Sequence, residues 1–175
     1  MKRSVKWMVL VLSVALVFAV GMLLTPPETL AQKAGALAKK IQGTWVLVSV
    51  INELDGKRIE VFGPNPRGSM VLTPNGRFSI IYMRSSLPKF GANNRLKGTA
   101  EENQAIVQGS LAYFGRYTVD EKEKTINQAT EGSTFPNWDG VEKRFAFSLS
   151  GDELRITSQA STIGGTNYLV WKRAK

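Results

Sequence analysis

Residues 69–84 read Ser-Met-Val-Leu-Thr-Pro-Asn-Gly-Arg-Phe-Ser-Ile-Ile-Tyr-Met-Arg, two runs of strand-forming residues around Pro74-Asn75-Gly76. Proline presets φ for the first turn position, and Asn-Gly tolerates left-handed backbone, so the stretch predicts a β-hairpin. In its second run Phe78, Ile80 and Tyr82 alternate with Ser79 and Ile81. That alternation gives one face to a core, because successive strand side chains point to opposite sides.

The same pattern extends in both directions. Thr44–Leu54 is rich in Val and Ile and closes on Asp55-Gly56; Tyr113–Asp120 and Lys124–Glu131 flank Glu121-Lys122-Glu123. Glu142–Leu149 and Glu153–Gln159 flank Ser150-Gly151-Asp152, and Thr166–Arg173 follows Gly164-Gly165. With the hairpin these make eight strands, nearly all joined to the next by a short turn. The fold class is therefore all-β: an eight-stranded antiparallel up-and-down barrel, favoured over a sandwich because closure removes exposed edges. Phe145, Phe147 and Leu149, and then Leu169 and Trp171, supply further inward faces. Thr44–Ile51 is apolar on both faces, which predicts an outer cover from a helix or the N-terminal linker.

One helix interrupts the series between the third and fourth strands. Thr99 followed three residues later by Glu102 is a capping box, and Ala105, Ile106 and Leu111 recur at helical spacing within Ala100–Leu111.

The first 31 residues read as a targeting segment. Lys2, Arg3 and Lys6 precede an apolar run of 18 residues from Trp7 to Leu24, then Thr25-Pro26-Pro27 and the small-residue pattern Thr29-Leu30-Ala31. Cleavage after Ala31 is the preferred reading. Left uncleaved, residues 7–24 would anchor the protein in a membrane. In both cases residues 32–42, a linker, and the barrel domain, 43–174, are expected outside the cytoplasmic membrane, in the periplasm or beyond.

Composition excludes several chemistries. The chain has no cysteine and no histidine, so disulfides, thiolates, imidazole bases and ordinary zinc sites are unavailable. No cofactor is expected. The net charge is +9, of which the targeting segment contributes +2, and the remaining basic residues are scattered. Scattered charge argues for solubility rather than for a nucleic-acid partner, and membrane contact is expected only through the N-terminal segment.

Two Pro/Asn-punctuated segments carry aromatic residues where solvated turns seldom need them: Phe62-Gly63-Pro64-Asn65-Pro66-Arg67-Gly68 and Gly132-Ser133-Thr134-Phe135-Pro136-Asn137-Trp138. In an up-and-down barrel they count as the connections one-to-two and five-to-six, which lie at the same end. They form one candidate mouth. Around it Asn65, Arg67, Tyr82, Arg84, Tyr117, Phe135, Asn137, Trp138 and Arg144 are the candidate ligand-binding residues, combining aromatic surface with guanidinium and amide groups. Each has a structural alternative. An arginine can lie over a surface aromatic, and an asparagine can cap its own turn. Glu131 is the one carboxylate to test as a general base, against the alternative of a salt bridge to a neighbouring arginine.

The chain resembles the lipocalin-like domain family of bacteria and fungi. The resemblance is carried by Gly43-Thr44-Trp45, by Phe62–Gly68, and by Thr73-Pro74-Asn75-Gly76 and Tyr113-Phe114-Gly115. Glu131–Trp138 and the closing Leu169-Val170-Trp171-Lys172-Arg173 complete it, over about residues 41–173. It implies a small eight-stranded barrel, with Trp45 plugging one end against a basic residue of the last strand, Lys172 or Arg173. It also implies histidines in the strand before the Phe-Pro-Asn segment. Here that strand reads Thr125-Ile126-Asn127-Gln128-Ala129-Thr130, without imidazole.

Three functions fit these readings. One is an exported binder of a small, mostly hydrophobic ligand that can carry an anionic group, acting as carrier, scavenger or sensor. Another is a cofactor-free isomerase or cyclase on a hydrophobic carbonyl compound, using Tyr82, Arg84 or Glu131. The third is a structural barrel filled by its own side chains. A cavity below about 100 Å³ would sink both ligand-based readings, since small-molecule sites take about 300 Å³ or more.

Overall fold

A computed structural model describes residues 35–175; the targeting segment lies outside them. A short helix α1 (Ala36–Ile41) leads into β1 (Gly43–Leu54), β2 (Lys57–Glu60), β3 (Arg67–Leu72) and β4 (Arg77–Met83). Helix α2 (Ala100–Gly109) precedes β5 (Ser110–Asp120), β6 (Thr125–Ser133), β7 (Glu142–Ser150), β8 (Glu153–Ser158) and β9 (Thr166–Arg173). Strands β3 to β9 pair antiparallel in chain order, β1 pairs antiparallel with both β2 and β3, and β1 also pairs with β9 from Trp45↔Arg173 to Glu53↔Thr166, which closes the sheet.

The nine strands make an eight-stave barrel. Both β2 and β3 lie along the same edge of β1: β2 pairs with Ile51–Leu54 and β3 with Gly43–Val46. They are one stave, interrupted by residues 61–66. The sequence reading missed β2 because Lys57–Glu60 is exposed throughout and shows no burial alternation. The helix falls where Thr99 and Glu102 predict it, with both capping-box hydrogen bonds formed. It ends at Gly109, so Leu111 belongs to β5.

Period-two alternation then fills the interior. Trp45, Met70, Leu72, Ile126, Leu154 and Trp171 are fully buried, and Phe78, Ile80, Phe145 and Phe147 nearly so. The outer cover expected over β1 is absent from the described residues, for Val46 and Val48 are 49% and 41% exposed. Helix α1 sits instead across one end, which the β3–β4 and β5–β6 turns share. There the Glu121 carboxylate accepts from the Leu37 and Ala38 backbone N–H groups at 2.7 and 2.8 Å. Trp45 Nε1 donates to the Ile41 carbonyl at 2.9 Å, and the Arg173 guanidinium covers the Trp45 ring at 4.3 Å. Arg173 also donates to the Gln42 carbonyl at 2.9 Å. This end is sealed.

The seal predicts two graded losses in urea denaturation. Trp45→Ala should cost about 3–5 kcal/mol through cavity formation. Arg173→Ala should cost about 1–3 kcal/mol through the lost cation–π contact and carbonyl hydrogen bonds. An unchanged midpoint for Arg173→Ala would show that the helix is held without it.

Candidate functional site

The other end gathers the β1–β2 turn, the 61–66 excursion, the long β4–β5 connection, and the β6–β7 and β8–β9 loops. The excursion leaves the stave at Val61, whose N–H still bonds the Val50 carbonyl at 3.1 Å. Asn65 holds φ at 52°, a left-handed conformation that asparagine tolerates. The stave resumes at Gly68, where a Cβ would lie 2.5 Å from the Ile81 carbonyl oxygen. Only glycine lets the chain rejoin the sheet so closely. The excursion carries Phe62 inward, 7% exposed.

Phe62 begins a chain of aromatic contacts. It stacks on Tyr82 at 5.4 Å, and Tyr82 leans on Tyr113 at 6.1 Å and on Trp171 at 5.6 Å. Tyr113 meets Trp138 edge-on at 5.2 Å, and Trp138 meets Phe135 at 5.7 Å. The Tyr82 and Tyr113 hydroxyls are 3.2 Å apart. Burial pushes Tyr113 up to about 12 and Tyr82 well above the ordinary phenol range. Both stay protonated at neutral pH, so they are hydrogen-bonding groups and not bases.

Phe62, Tyr82, Tyr113 and Trp138 line a cavity of about 40 Å³, together with Val50, Gln128, Phe145 and Leu169. It has room for a few water molecules. An open depression of about 320 Å³ on β7–β9 is larger, but it is a shallow feature whose wall includes the outward residues Ala146, Ser148 and Arg155. The enclosed cavity is the better site because polar chemistry converges on it.

That chemistry comes from β6 and β7. Gln128, Thr130 and Lys143 are buried at 2%, 3% and 6% exposure. Gln128 Oε1, Thr130 Oγ1 and Lys143 Nζ make no hydrogen bond within the protein. Gln128 and Lys143 are direct cross-strand partners. Lys143 Nζ lies 3.5 Å from the centre of the Trp138 ring and 4.2 Å from that of Tyr113. It stands behind the two rings that wall the cavity. Burial lowers its pKa to about 8, while the two ring faces favour the ammonium and oppose that shift.

Of the residues named from sequence, Tyr82 and Trp138 line the cavity, and Phe135 packs behind Trp138. Tyr117 is buried, but toward the sealed end, with its hydroxyl donating to the Thr73 carbonyl at 2.9 Å. Asn65, Arg67, Arg84 and Asn137 are exposed on the connections and strand ends around the open end. Arg144 is exposed on the outer face, its Nε donating to Thr125 Oγ1 at 3.2 Å. Glu131 is also outside, in salt bridges to Arg77 at 2.7 Å and Arg116 at 3.1 Å. The Arg77 hydrogen bonds hold it below the usual carboxylate range, the opposite of what a general base needs. The sequence reading passed over Lys143, although it continues the alternation Phe145, Phe147, Leu149 by two residues.

The Phe62 and Trp138 segments do meet, but not as two odd-numbered turns. Asp55-Gly56 makes the first turn, and Phe62 arrives from the middle of a broken stave.

Residues 42–174 match the sequence profile of the lipocalin-like domain, and the chain belongs to that family. Among individual proteins it is similar to the 4'-hydroxy-3'-methoxypropiophenone carrier protein ppsC of Aspergillus oryzae, 30% identical over 101 residues, which span 52% of this chain and 91% of the relative. A solved lipocalin-like protein from Bacteroides uniformis is 18% identical at TM-score 0.42, covering 76% of this chain and 97% of its own. An uncharacterized protein from Bacteroides eggerthii is 16% identical at TM-score 0.40, covering 75% and 98%.

Lys143 makes stability depend on pH. An unfolded lysine titrates near 10.4 and the folded one near 8. Between these values the unfolded chain holds the proton and the native one does not, so stability rises with pH across that window. Below about pH 8 the native amine is charged and the burial penalty stands in full. Lys143→Met should melt higher than wild type at pH 7, and the gap should narrow by pH 9.5. A gap that stays constant over this range in melting curves would refute the assignment.

Proposed function

We propose that the barrel binds a small, mostly apolar molecule bearing a hydrogen-bonding group at its open end, and acts as a carrier. The observation that carries this reading is the set of unpaired buried polar atoms at an aromatic cavity, above all Gln128 Oε1 in the cavity wall. An unsatisfied buried acceptor costs about 1–3 kcal/mol, and a ligand hydroxyl would satisfy it. The cation behind the Trp138 and Tyr113 rings, Lys143, suits an acidic or electron-rich group once the Trp138 ring moves aside. The relative named as a carrier of a hydroxylated aryl ketone supports the same chemical class. Export, with cleavage after Ala31, is part of the proposal. N-terminal sequencing of the protein recovered from its host envelope tests it.

The cavity volume of about 40 Å³ falls under the 100 Å³ threshold, so the closed form has no space for such a ligand. Binding requires the Phe62 or Trp138 ring to move aside. The same volume favours a second reading, a structural barrel filled by its own aromatic residues.

Native mass spectrometry of protein purified from its own host separates the two. A retained small molecule supports the carrier. Gln128→Leu should then weaken binding about tenfold, the value of one hydrogen bond, and Trp138→Ala should also reduce retention. A folded protein that retains nothing, and whose tryptophan fluorescence ignores a panel of phenolic ketones and fatty acids, is a self-filled barrel.

A further inference from the structure

Lys143 is unusual among the cations of this protein. Its amine is buried, it has no hydrogen-bond acceptor within the protein, and it has no carboxylate partner among the described residues. A cation kept only for stability is normally paired when buried. The rings of Tyr113 from β5 and Trp138 from the β6–β7 connection cover it, and Gln128 is its partner across the β6–β7 ladder. Its strand neighbours Glu142 and Arg144 are exposed. Trp138, which closes the cavity, is also the ring that covers the amine. One movement of that side chain would open the cavity and uncover Nζ together.

We propose that Lys143 captures small aromatic aldehydes and ketones covalently, its amine condensing with the carbonyl of a molecule that takes the place of the Trp138 ring. This rests on the reading of the open end as a ligand site. The neutral amine adds its lone pair to the carbonyl carbon, and the carbonyl oxygen takes up a proton. The carbinolamine then loses that oxygen as water, with both hydrogens of the amine ultimately released, to leave a carbon–nitrogen double bond. Carbonyl compound and amine give imine and water, with no oxidant or reductant. A desolvated lysine with a lowered pKa is a competent nucleophile near neutral pH. The protonated Tyr82–Tyr113 hydroxyl pair, which lines the same cavity, supplies hydrogen-bond donors for the carbonyl oxygen. The aromatic walls select a flat ring.

The test treats the full chain at pH 8 with 4-hydroxybenzaldehyde and sodium cyanoborohydride, which reduces any imine to a stable amine, followed by peptide mapping. About half of the Lys143 amine is neutral at that pH, against under about 1% for an ordinary lysine, so its labelling should exceed any surface lysine at least about tenfold. Lys143→Met should lose this label, and Trp138→Ala should acquire it faster. Label spread over exposed lysines such as Lys57, Lys122 and Lys172, with Lys143 bare in wild type, overturns the proposal. The alcohol 4-hydroxybenzyl alcohol, followed by tryptophan fluorescence, separates the two readings. Saturable binding of the alcohol without labelling of Lys143 rejects the covalent step and keeps the ligand site. Neither binding nor labelling rejects both.

Discussion

The open end depends on the ladder between β1 and β9. That ladder turns a sheet with two exposed edges into a ring, and it sets Trp45 opposite Arg173 at its first pair. From this register Arg173 can cover the Trp45 ring and reach back to the carbonyl of Gln42, just past α1. The helix is thereby fixed over one end, with Glu121 holding its first turn from the opposite wall. Closure and plugging are thus one event. Once one end is filled by Trp45 and Ile41, any space in the barrel must open at the other.

What occupies that other end follows from the broken second stave. A tight turn at Asp55-Gly56 starts the return strand early, and β2 pairs for only four residues before the chain leaves the sheet. Gly63 at φ 67° and Asn65 at φ 52° let it loop, and Gly68 lets it rejoin. The diversion places the Phe62 ring in the interior, stacked on Tyr82. Phe62 then reaches Trp138 through Tyr82 and Tyr113, so two segments 70 residues apart in sequence close one cavity.

Much of this was legible in the sequence. Pro74-Asn75-Gly76, the alternating faces of β4 and β7 and the regular turns were enough for an eight-stave barrel, and Thr99 with Glu102 marked the helix. The site was harder for three physical reasons. Alternation separates inside from outside but gives no height along the barrel. Tyr117 and Tyr82 both face inward, and only the register shows that Tyr117 bonds Thr73 near the sealed end. Polar residues at inward positions break the pattern that reveals a strand's faces, which hid Gln128 and Thr130 in β6. The preference for arginine as a ligand group pointed to Arg144, when the parity of Phe145 and Phe147 already put Lys143 inside and Arg144 out.

The interior of the open half combines two features that a purely structural barrel would avoid together. It is packed closely enough to leave only about 40 Å³, yet Gln128 in the cavity wall and the buried Thr130 and Lys143 have polar atoms that bond to nothing in the protein. Leucine or methionine at these positions would fill comparable volume without the desolvation cost, which is largest for the lysine. The sealed end comes closer to that cheaper design: Ile41, Trp45, Leu72 and Met70 fill it and the Trp45 indole donates to the Ile41 carbonyl, while the buried Trp171 Nε1, level with Leu47 and Leu154, has no partner within the protein. What sets the open half apart is its buried, unpaired amine, Lys143 Nζ. Local violations of good packing chemistry concentrate where a protein does something besides fold, and here the costliest of them, the Lys143 amine, lies against the rings of Tyr113 and Trp138.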